Sequence, residues 1–145
     1  MTTGVWILLA SLVLVVAVGL WRAYADGRFR GTRAVAGADV PTAPVLESLI
    51  PDDQLGERAT LLQFSSAFCA PCRATRRVLT DIAAVVPGVA HVEIDAEDHL
   101  DLVRRVGVLR TPTTLVLDGR GREVTRASGA PRKEQVLSAL AGIEA

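Results

Sequence analysis

The apolar and polar positions of this chain divide it into two parts of different character. From Gly4 to Trp21, 18 successive residues carry no charge, and Ser11 is the only clearly polar one among them. As a helix rising about 1.5 Å per residue, this run reaches roughly 27 Å, close to the hydrocarbon thickness of a bilayer. Trp6 and Trp21 stand near its two ends, where indole rings favour the headgroup region. The pattern predicts a membrane-spanning helix, because a core helix of a soluble protein would have a polar face.

The first 22 residues are interpreted as an anchor that stays attached to the protein. A cleavable signal peptide usually begins with basic side chains, which residues 1–3 do not supply, and this apolar run is long for the core of one. Residues 23–25 nevertheless have the small-x-small form of a cleavage site. Removal of the segment therefore stays open as the alternative.

The charges that flank the apolar run predict its orientation. Four basic residues follow the run, with Asp26 as the only acid among them: Arg22, Arg28, Arg30 and Arg33. Positively charged flanks stay on the cytoplasmic side of a membrane. We therefore expect a single-pass cell-membrane protein whose soluble part faces the cytoplasm, with the outward-facing arrangement as the alternative.

A linker is predicted between the anchor and a globular domain. Residues 23–44 show no sustained apolar period, and glycine, proline and arginine are interspersed among them, which is typical of a tether. From about Val45 the pattern becomes globular. The chain is accordingly divided into an anchor over residues 1–22, a linker over 23–44 and a domain over 45–145.

Within the domain, the hydrophobic period alternates between that of strands and that of helices. Strands are predicted over residues 59–65, 89–95, 113–117 and 123–127, and helices over 70–86 and 100–106. A last amphipathic helix places Val136, Leu137 and Leu140 on one face. The order β-α-β-α-β-β-α predicts parallel strands joined by helices and then an antiparallel hairpin, hence an α/β fold with a mixed central sheet flanked by helices.

The charge balance and the cysteine count narrow the chemistry. Sixteen basic and sixteen acidic residues give no net charge, so we expect no nucleic-acid partner. The two cysteines, Cys69 and Cys72, are three positions apart, whereas a structural disulfide framework uses more cysteines at longer spacing. A bridge across so short a loop adds little stability, so the pair needs a chemical explanation.

The cysteine pair stands where a predicted strand gives way to a predicted helix. Cys69, Ala70, Pro71 and Cys72 open that helix, and unpaired amides at a helix N-terminus favour a thiolate. Pro71 fits the first turn because its missing N–H would have no intrahelical partner. We predict that Cys69 is the nucleophile, which forms a mixed disulfide with a substrate, and that Cys72 resolves it.

A zinc site is the competing interpretation of two cysteines at this spacing. Four zinc ligands require two further Cys or His side chains, and the chain has only His91 and His99, in a different spacing and context. We therefore expect no metal and no other cofactor.

The stretch from about Val45 to Ala141 resembles thioredoxin. The similarity lies in the segment from Phe64 to Arg73, which holds the two cysteines, and in Thr111-Pro112-Thr113, which falls where that family keeps a cis-proline. It extends to residues 92–95, Gly107 and Gly129. The resemblance implies a thioredoxin-like fold and a substrate groove beside Cys69, formed by Phe68, Ala70, Pro71, Thr111 and Pro112.

The chain departs from this family pattern at three positions. Phe68 replaces the usual tryptophan before the first cysteine, and Gln63 replaces a buried aspartate that assists proton transfer at the resolving cysteine. Gln63 can form hydrogen bonds but cannot exchange a proton in this range. His91 replaces the neighbouring lysine and titrates near neutrality. It is a candidate for proton handling together with Gln63, and a partly buried strand histidine is the alternative.

The leading functional hypothesis is a protein-disulfide reductase tethered to the inner side of the membrane through residues 4–21. Its partners would be protein disulfide substrates and a reductant of unknown identity. One alternative is an outward-facing thiol oxidant of the cytochrome-maturation type. The other is a thioredoxin-like module that binds clients without catalysis, although such a module has no need of two thiols.

Overall fold

The computed structural model describes residues 2–25, 27–31 and 50–143. Every strand and helix predicted between residues 59 and 106 and in the hairpin is confirmed, with ends that differ by one residue at most. The elements in chain order are α1 (Thr2–Ala25), β1 (Phe29–Gly31), a 3₁₀ turn (Asp52–Gln54), β2 (Ala59–Ser65), α2 (Ala70–Val85), β3 (Val89–Asp95), α3 (Leu100–Val106), β4 (Thr113–Asp118), β5 (Glu123–Ser128) and α4 (Lys133–Ala141).

The strands form one five-stranded mixed sheet in the order β1-β5-β4-β2-β3. Only β2 and β3 are parallel, whereas β4 pairs with β2 in the antiparallel direction. The predicted parallel direction was therefore wrong for β4. The seven residues of α3 rise only about 10 Å, less than half of the roughly 23 Å that seven strand residues span, so α3 does not carry the chain back across the sheet.

Alternate residues of β2, an interior strand of the sheet, contribute to two separate cores. Leu61 packs with α2 and α4 on one face of the sheet, and Leu62 and Phe64 pack with α3 on the other. The first core is completed by Leu79, Ile82, Val116, Val136 and Leu140, and the second by Leu102, Val106, Val108, Leu115 and Leu117. Helices on both faces hold β2 rigidly, and β2 leads into the cysteine pair.

One residue of the predicted apolar face of α4 does not join the core. Val136 and Leu140 are buried, whereas Leu137 is 38% exposed. The prediction for Leu137 was wrong because one helical step from Val136 turns the side chain by about 100°, away from the face that Val136 and Leu140 share at a spacing of four.

The chain that directly follows α1 belongs to the sheet. Phe29–Gly31 pair with Thr125–Ala127 of β5 in the antiparallel direction, and Phe29 packs against the core that contains Leu61. Residues 29–31 are therefore a strand and not part of a tether. They form a strand because β5 offers them a pairing edge, which cannot be read from a sequence of three residues. Residues 23–25 of the predicted linker continue α1, whereas residues 26 and 32–44 lie outside the described residues, and the domain boundaries stay predictions.

Helix α1 is long and apolar enough, by length and composition, to cross a membrane. Its candidate span covers Gly4–Arg22 with a mean hydropathy of 2.5 and has no buried residue. An N-terminal signal sequence has the same properties, so the helix alone does not separate the two interpretations made from the sequence.

Candidate redox site

The two cysteines form a disulfide at the start of α2. Cys69 is the N-cap residue of that helix, and Pro71 lies in its first turn. The Cα atoms of Cys69 and Cys72 are 5.2 Å apart. The strand-to-helix junction therefore places both sulfurs on one turn, as the spacing predicted.

The two sulfurs have unequal surroundings. Cys72 is only 1% exposed, whereas Cys69 is partly exposed. The Cys69 Sγ accepts a hydrogen bond from the backbone N–H of Cys72 at 3.1 Å. In the reduced protein such a donor at a helix N-terminus favours the thiolate of Cys69, and exposure lets that thiolate meet a substrate.

A loop from the opposite side of the site faces the cysteine segment. The Thr111–Pro112 peptide bond is cis. The Thr111 Oγ1 lies 3.1 Å from the Oγ of Ser66, which belongs to the turn before Cys69. The same loop is fixed at its other end by the Thr113 hydroxyl, which donates to the carbonyl of Arg110 at 2.8 Å. The structure therefore brings the two sequence-predicted segments together.

Gln63 is fully buried beneath the start of α2. Its Nε2 donates to the carbonyl oxygen of Cys72 at 3.0 Å, and its Oε1 lies 3.3 Å from the Nε2 of His91. An amide oxygen only accepts, so the His91 Nε2 carries the proton of this contact. Gln63 thus connects the backbone of the buried cysteine to the histidine on β3.

His91 is held in one tautomer and one orientation by contacts on both ring nitrogens. Because the Nε2 donates to Gln63, the Nδ1 accepts from the hydroxyl of Thr80 on α2, 3.1 Å away. Burial lowers the pKa of His91, the Glu93 carboxylate raises it, and the Arg76 guanidinium lowers it, with a net decrease from 6.5. His91 is therefore neutral at physiological pH.

Glu93 lies beside this histidine and carries the negative charge of the cluster. It forms an ion pair with Arg76 and accepts a hydrogen bond from Ser65. Burial raises the pKa of Glu93, but the hydrogen bonds from Arg76 and Ser65 outweigh it and the net pKa is lowered. The carboxylate is occupied by these two donors, so it is not directed at the sulfurs.

Three residues of this region had not been singled out from the sequence. Ser66 and Thr80 look like ordinary polar positions until the fold places them against Thr111 and His91. Leu109 is 96% exposed just before the cis-proline loop, and an apolar residue beside an X-Pro turn was the only signal for it. Within the described residues, no group of three or more Cys, His, Asp or Glu side chains is arranged to hold a metal ion.

Comparisons with known proteins agree with this geometry. Residues 48–142 match the family model for thioredoxin. The chain belongs to the thioredoxin family. Because it combines membership of that family with a disulfide-forming Cys69–Cys72 pair, it is a thiol-disulfide oxidoreductase.

Similar proteins come from plants, bacteria and an animal parasite. A thioredoxin H-type of Fagopyrum esculentum is 31% identical over 81 residues, which cover 56% of this chain and 68% of the relative. A thioredoxin of Alicyclobacillus acidocaldarius is 29% identical over 89 residues, or 61% of this chain and 84% of the relative. The crystal structure of Fasciola hepatica thioredoxin aligns with a TM-score of 0.57 and 25% identity, covering 68% of this chain and 91% of that one. The family match begins at residue 48, after α1 and β1.

Proposed function

We propose that this thioredoxin-family chain is a membrane-anchored protein-disulfide reductase. The observation that carries the proposal is the unequal exposure of Cys69 and Cys72 at the start of α2. The Sγ of the partly exposed Cys69 accepts a hydrogen bond from the backbone N–H of Cys72, and Cys72 is buried.

The reaction proceeds in two exchanges that balance electrons. The Cys69 thiolate attacks one sulfur of a substrate disulfide, a Cys69–substrate bond forms, and the other substrate sulfur leaves as a thiolate. The Cys72 thiolate then attacks the Cys69 sulfur, which closes the Cys69–Cys72 disulfide and releases the second substrate thiol. The substrate gains two electrons, and a dithiol reductant restores the pair.

A single-turnover measurement tests the reductase direction. The full chain is first reduced and then freed of reductant. Each mole of chain should then lose its two thiols and reduce one mole of insulin disulfide. A reduced chain that leaves insulin disulfides intact, or that releases fewer substrate thiols than it loses, contradicts the proposal.

We propose that protein substrates dock on apolar side chains at the rim of the site. Phe68 is 98% exposed and Leu109 is 96% exposed, and they lie on the two loops that the Ser66–Thr111 contact joins. Ala70 and Pro71, which follow Phe68 at the start of α2, are also exposed, and the Thr111–Pro112 loop faces this segment through the Ser66–Thr111 contact.

Removing both rim side chains should weaken binding of protein substrates selectively. We expect Phe68→Ala combined with Leu109→Ala to raise KM for insulin about tenfold, equivalent to roughly 1.4 kcal/mol. The rate with a small aromatic disulfide should stay within about twofold, since such a probe needs only the sulfurs. Val85→Ala, at an exposed apolar position at the far end of α2, is the matched control. Equal losses on both substrates would mean that the rim does not bind protein.

Gln63 and His91 are proposed to position the resolving cysteine rather than to transfer its proton. Gln63 stands between the Cys72 carbonyl and His91, and an amide does not pass a proton in this pH range. The contacts from Thr80 through His91 therefore fix the side-chain amide of Gln63. In that position the amide donates its hydrogen bond to the Cys72 carbonyl in the first turn of α2.

The lowered pKa of His91 predicts a pH-dependent stability. The unfolded chain protonates His91 around its ordinary pKa of 6.5, while the folded chain resists protonation, so stability should fall as pH drops through 6.5 toward the folded value. Urea unfolding at pH 7.5 and 5.0 should show this decrease, and His91→Gln should remove it. The contribution of Glu93 to stability is lost only at lower pH, below its ordinary pKa of 4.5.

The same variant tests the positioning role of His91. A reductase rate that drops more than about tenfold in His91→Gln would favour a proton relay instead.

We propose a cytoplasmic location for the domain and an uncleaved α1. The support is the arginine-rich flank after Arg22 and the helix that meets the length and hydropathy of a span. Labelling of Cys69 in intact cells by a membrane-impermeant thiol reagent would contradict this orientation and favour the outward-facing oxidant.

A further inference from the structure

Helix α1 joins the domain at the end of the sheet that carries the disulfide. Phe29, the first residue of β1, lies opposite Ala127 near the end of β5. The neighbouring Ser128 lies opposite Thr113, the first residue of β4. Thr113 in turn lies opposite Phe64, at the end of β2 from which the chain reaches Cys69. The strand register therefore puts the membrane helix and the redox site at one end of the domain.

The connection at this end is fixed by contacts to residues 128–130, which are themselves hydrogen-bonded to the cis-proline loop. The Gly27 N–H donates to the carbonyl of Ser128 at 3.1 Å, and the Arg110 guanidinium donates to the same oxygen at 2.6 Å. Gly129 N–H donates to the carbonyl of Pro112 at 2.7 Å. Gly27 has a φ of +72°, and a Cβ there would lie 2.2 Å from the Ala130 carbonyl oxygen. Only glycine lets the chain approach the Ala130 backbone this closely.

The connection is also short. Four Cα–Cα steps separate Ala25 from Phe29, so they span at most about 14 Å. Three helical residues beyond the candidate span, which ends at Arg22, add about 4.5 Å. The start of β1 therefore lies within roughly 20 Å of the hydrocarbon edge. Residues 4–22 and Tyr24 are exposed, so α1 does not fold back along the domain.

Charge is distributed to match this placement. Exposed basic side chains lie on the β1 side of this end, at Arg28 and at Arg132–Lys133 just after the Ala130 that Gly27 touches. The opposite edge of the sheet, after β3, has exposed acids at Glu97, Asp98 and Asp101 together with exposed Arg104 and Arg105. An anionic bilayer surface attracts the first side, where the basic side chains outnumber the exposed Glu134.

We propose that this protein exchanges electrons with disulfides that integral membrane proteins hold at the bilayer surface. This inference rests on the proposed reductase function and on the anchoring of α1. The dithiol passes two electrons to a partner disulfide near the bilayer surface, by the same two exchanges at Cys69 and Cys72.

Two membrane-bound probes test the inference in vesicles that contain anionic lipid and the full-length chain. Each probe is a synthetic transmembrane peptide with one internal disulfide, placed either directly after its helix or beyond a flexible spacer of about 30 residues. We expect the near disulfide to be reduced about tenfold faster than the far one. Insulin, added to the same vesicles, reports the basal reductase activity.

Lengthening the connection should remove this preference. Insertion of about ten Gly and Ser residues after Ala25 should bring the ratio of near to far rates close to one and leave insulin reduction unchanged. The same residues added after Ala145 should leave the ratio as it was. Gly27→Ala, which displaces the chain from Ala130, should lower the ratio as well.

The outcomes distinguish failure of this inference from failure of the proposed reductase function. Equal rates on the two probes in the unmodified chain, with insulin still reduced, overturn the membrane-surface inference and leave the reductase intact. An unchanged ratio after the insertion also overturns it. A reduced chain that fails to act on insulin and on both probes overturns the proposed function, and the inference falls with it.

Discussion

Replacing Cys69 by serine should abolish disulfide reduction, with a loss of at least about a thousandfold in insulin turnover. The Cys69 residue is partly exposed, whereas the Cys72 residue is only 1% exposed. A serine hydroxyl at neutral pH is not a comparable nucleophile toward sulfur. Cys72 does not take over, because a substrate disulfide has no access to it.

Replacing Cys72 by serine should instead trap the first intermediate. Cys69 still attacks the substrate, but no second thiol is present to resolve the mixed disulfide. A reductant-sensitive adduct between the chain and its substrate should therefore accumulate on non-reducing gels. The Cys69→Ser protein should form no such adduct under the same conditions. Adducts through Cys72 in Cys69→Ser, or full turnover in either variant, would contradict the assigned roles.

Replacing Arg126 by methionine should lower the free energy of unfolding by about 3–5 kcal/mol. Arg126 is 8% exposed, pairs with the Glu123 carboxylate, and donates to the carbonyl of Val106 at 2.9 Å. The change removes both contacts and leaves a carboxylate whose side chain is 2% exposed. Val106 ends α3, from which the chain runs to the cis-proline loop. Urea unfolding measures the loss, and reductase activity reports whether that loop is displaced.

A second substitution distinguishes the buried charge from simple packing. Adding Glu123→Gln to Arg126→Met removes the charge that the first change leaves behind, so the double variant should recover part of the lost stability. Arg122→Met, whose partner Asp118 lies at the exposed hairpin turn, should cost less than about 1 kcal/mol. Additive losses in the double variant would show that the ion pair is not the source of the effect.

Much of the domain was determined by the sequence by itself, because the signals involved are local. The sequence of residues 59–65 predicted a buried strand, and the structure buries every residue of β2, with side chains in both cores. The helical period of residues 70–86 predicted a helix that starts at the cysteine pair, Pro71 fits its first turn, and the structure has a helix there. These features depend on neighbours a few residues away, and hydrophobic period and helix-terminus chemistry act at that range.

Other features were decided only by the tertiary structure, because they depend on pairs that are distant in the sequence. Phe29–Gly31 form a strand only because β5 offers them an edge, and β4 runs antiparallel to β2 because α3 is too short to cross the sheet. The contact of Gln63 with His91 joins residues 28 positions apart. The attachment of α1 at the redox end follows from the register of four strands, which no local pattern contains. Loop closure and strand pairing determine such contacts, and they are properties of the folded chain as a whole.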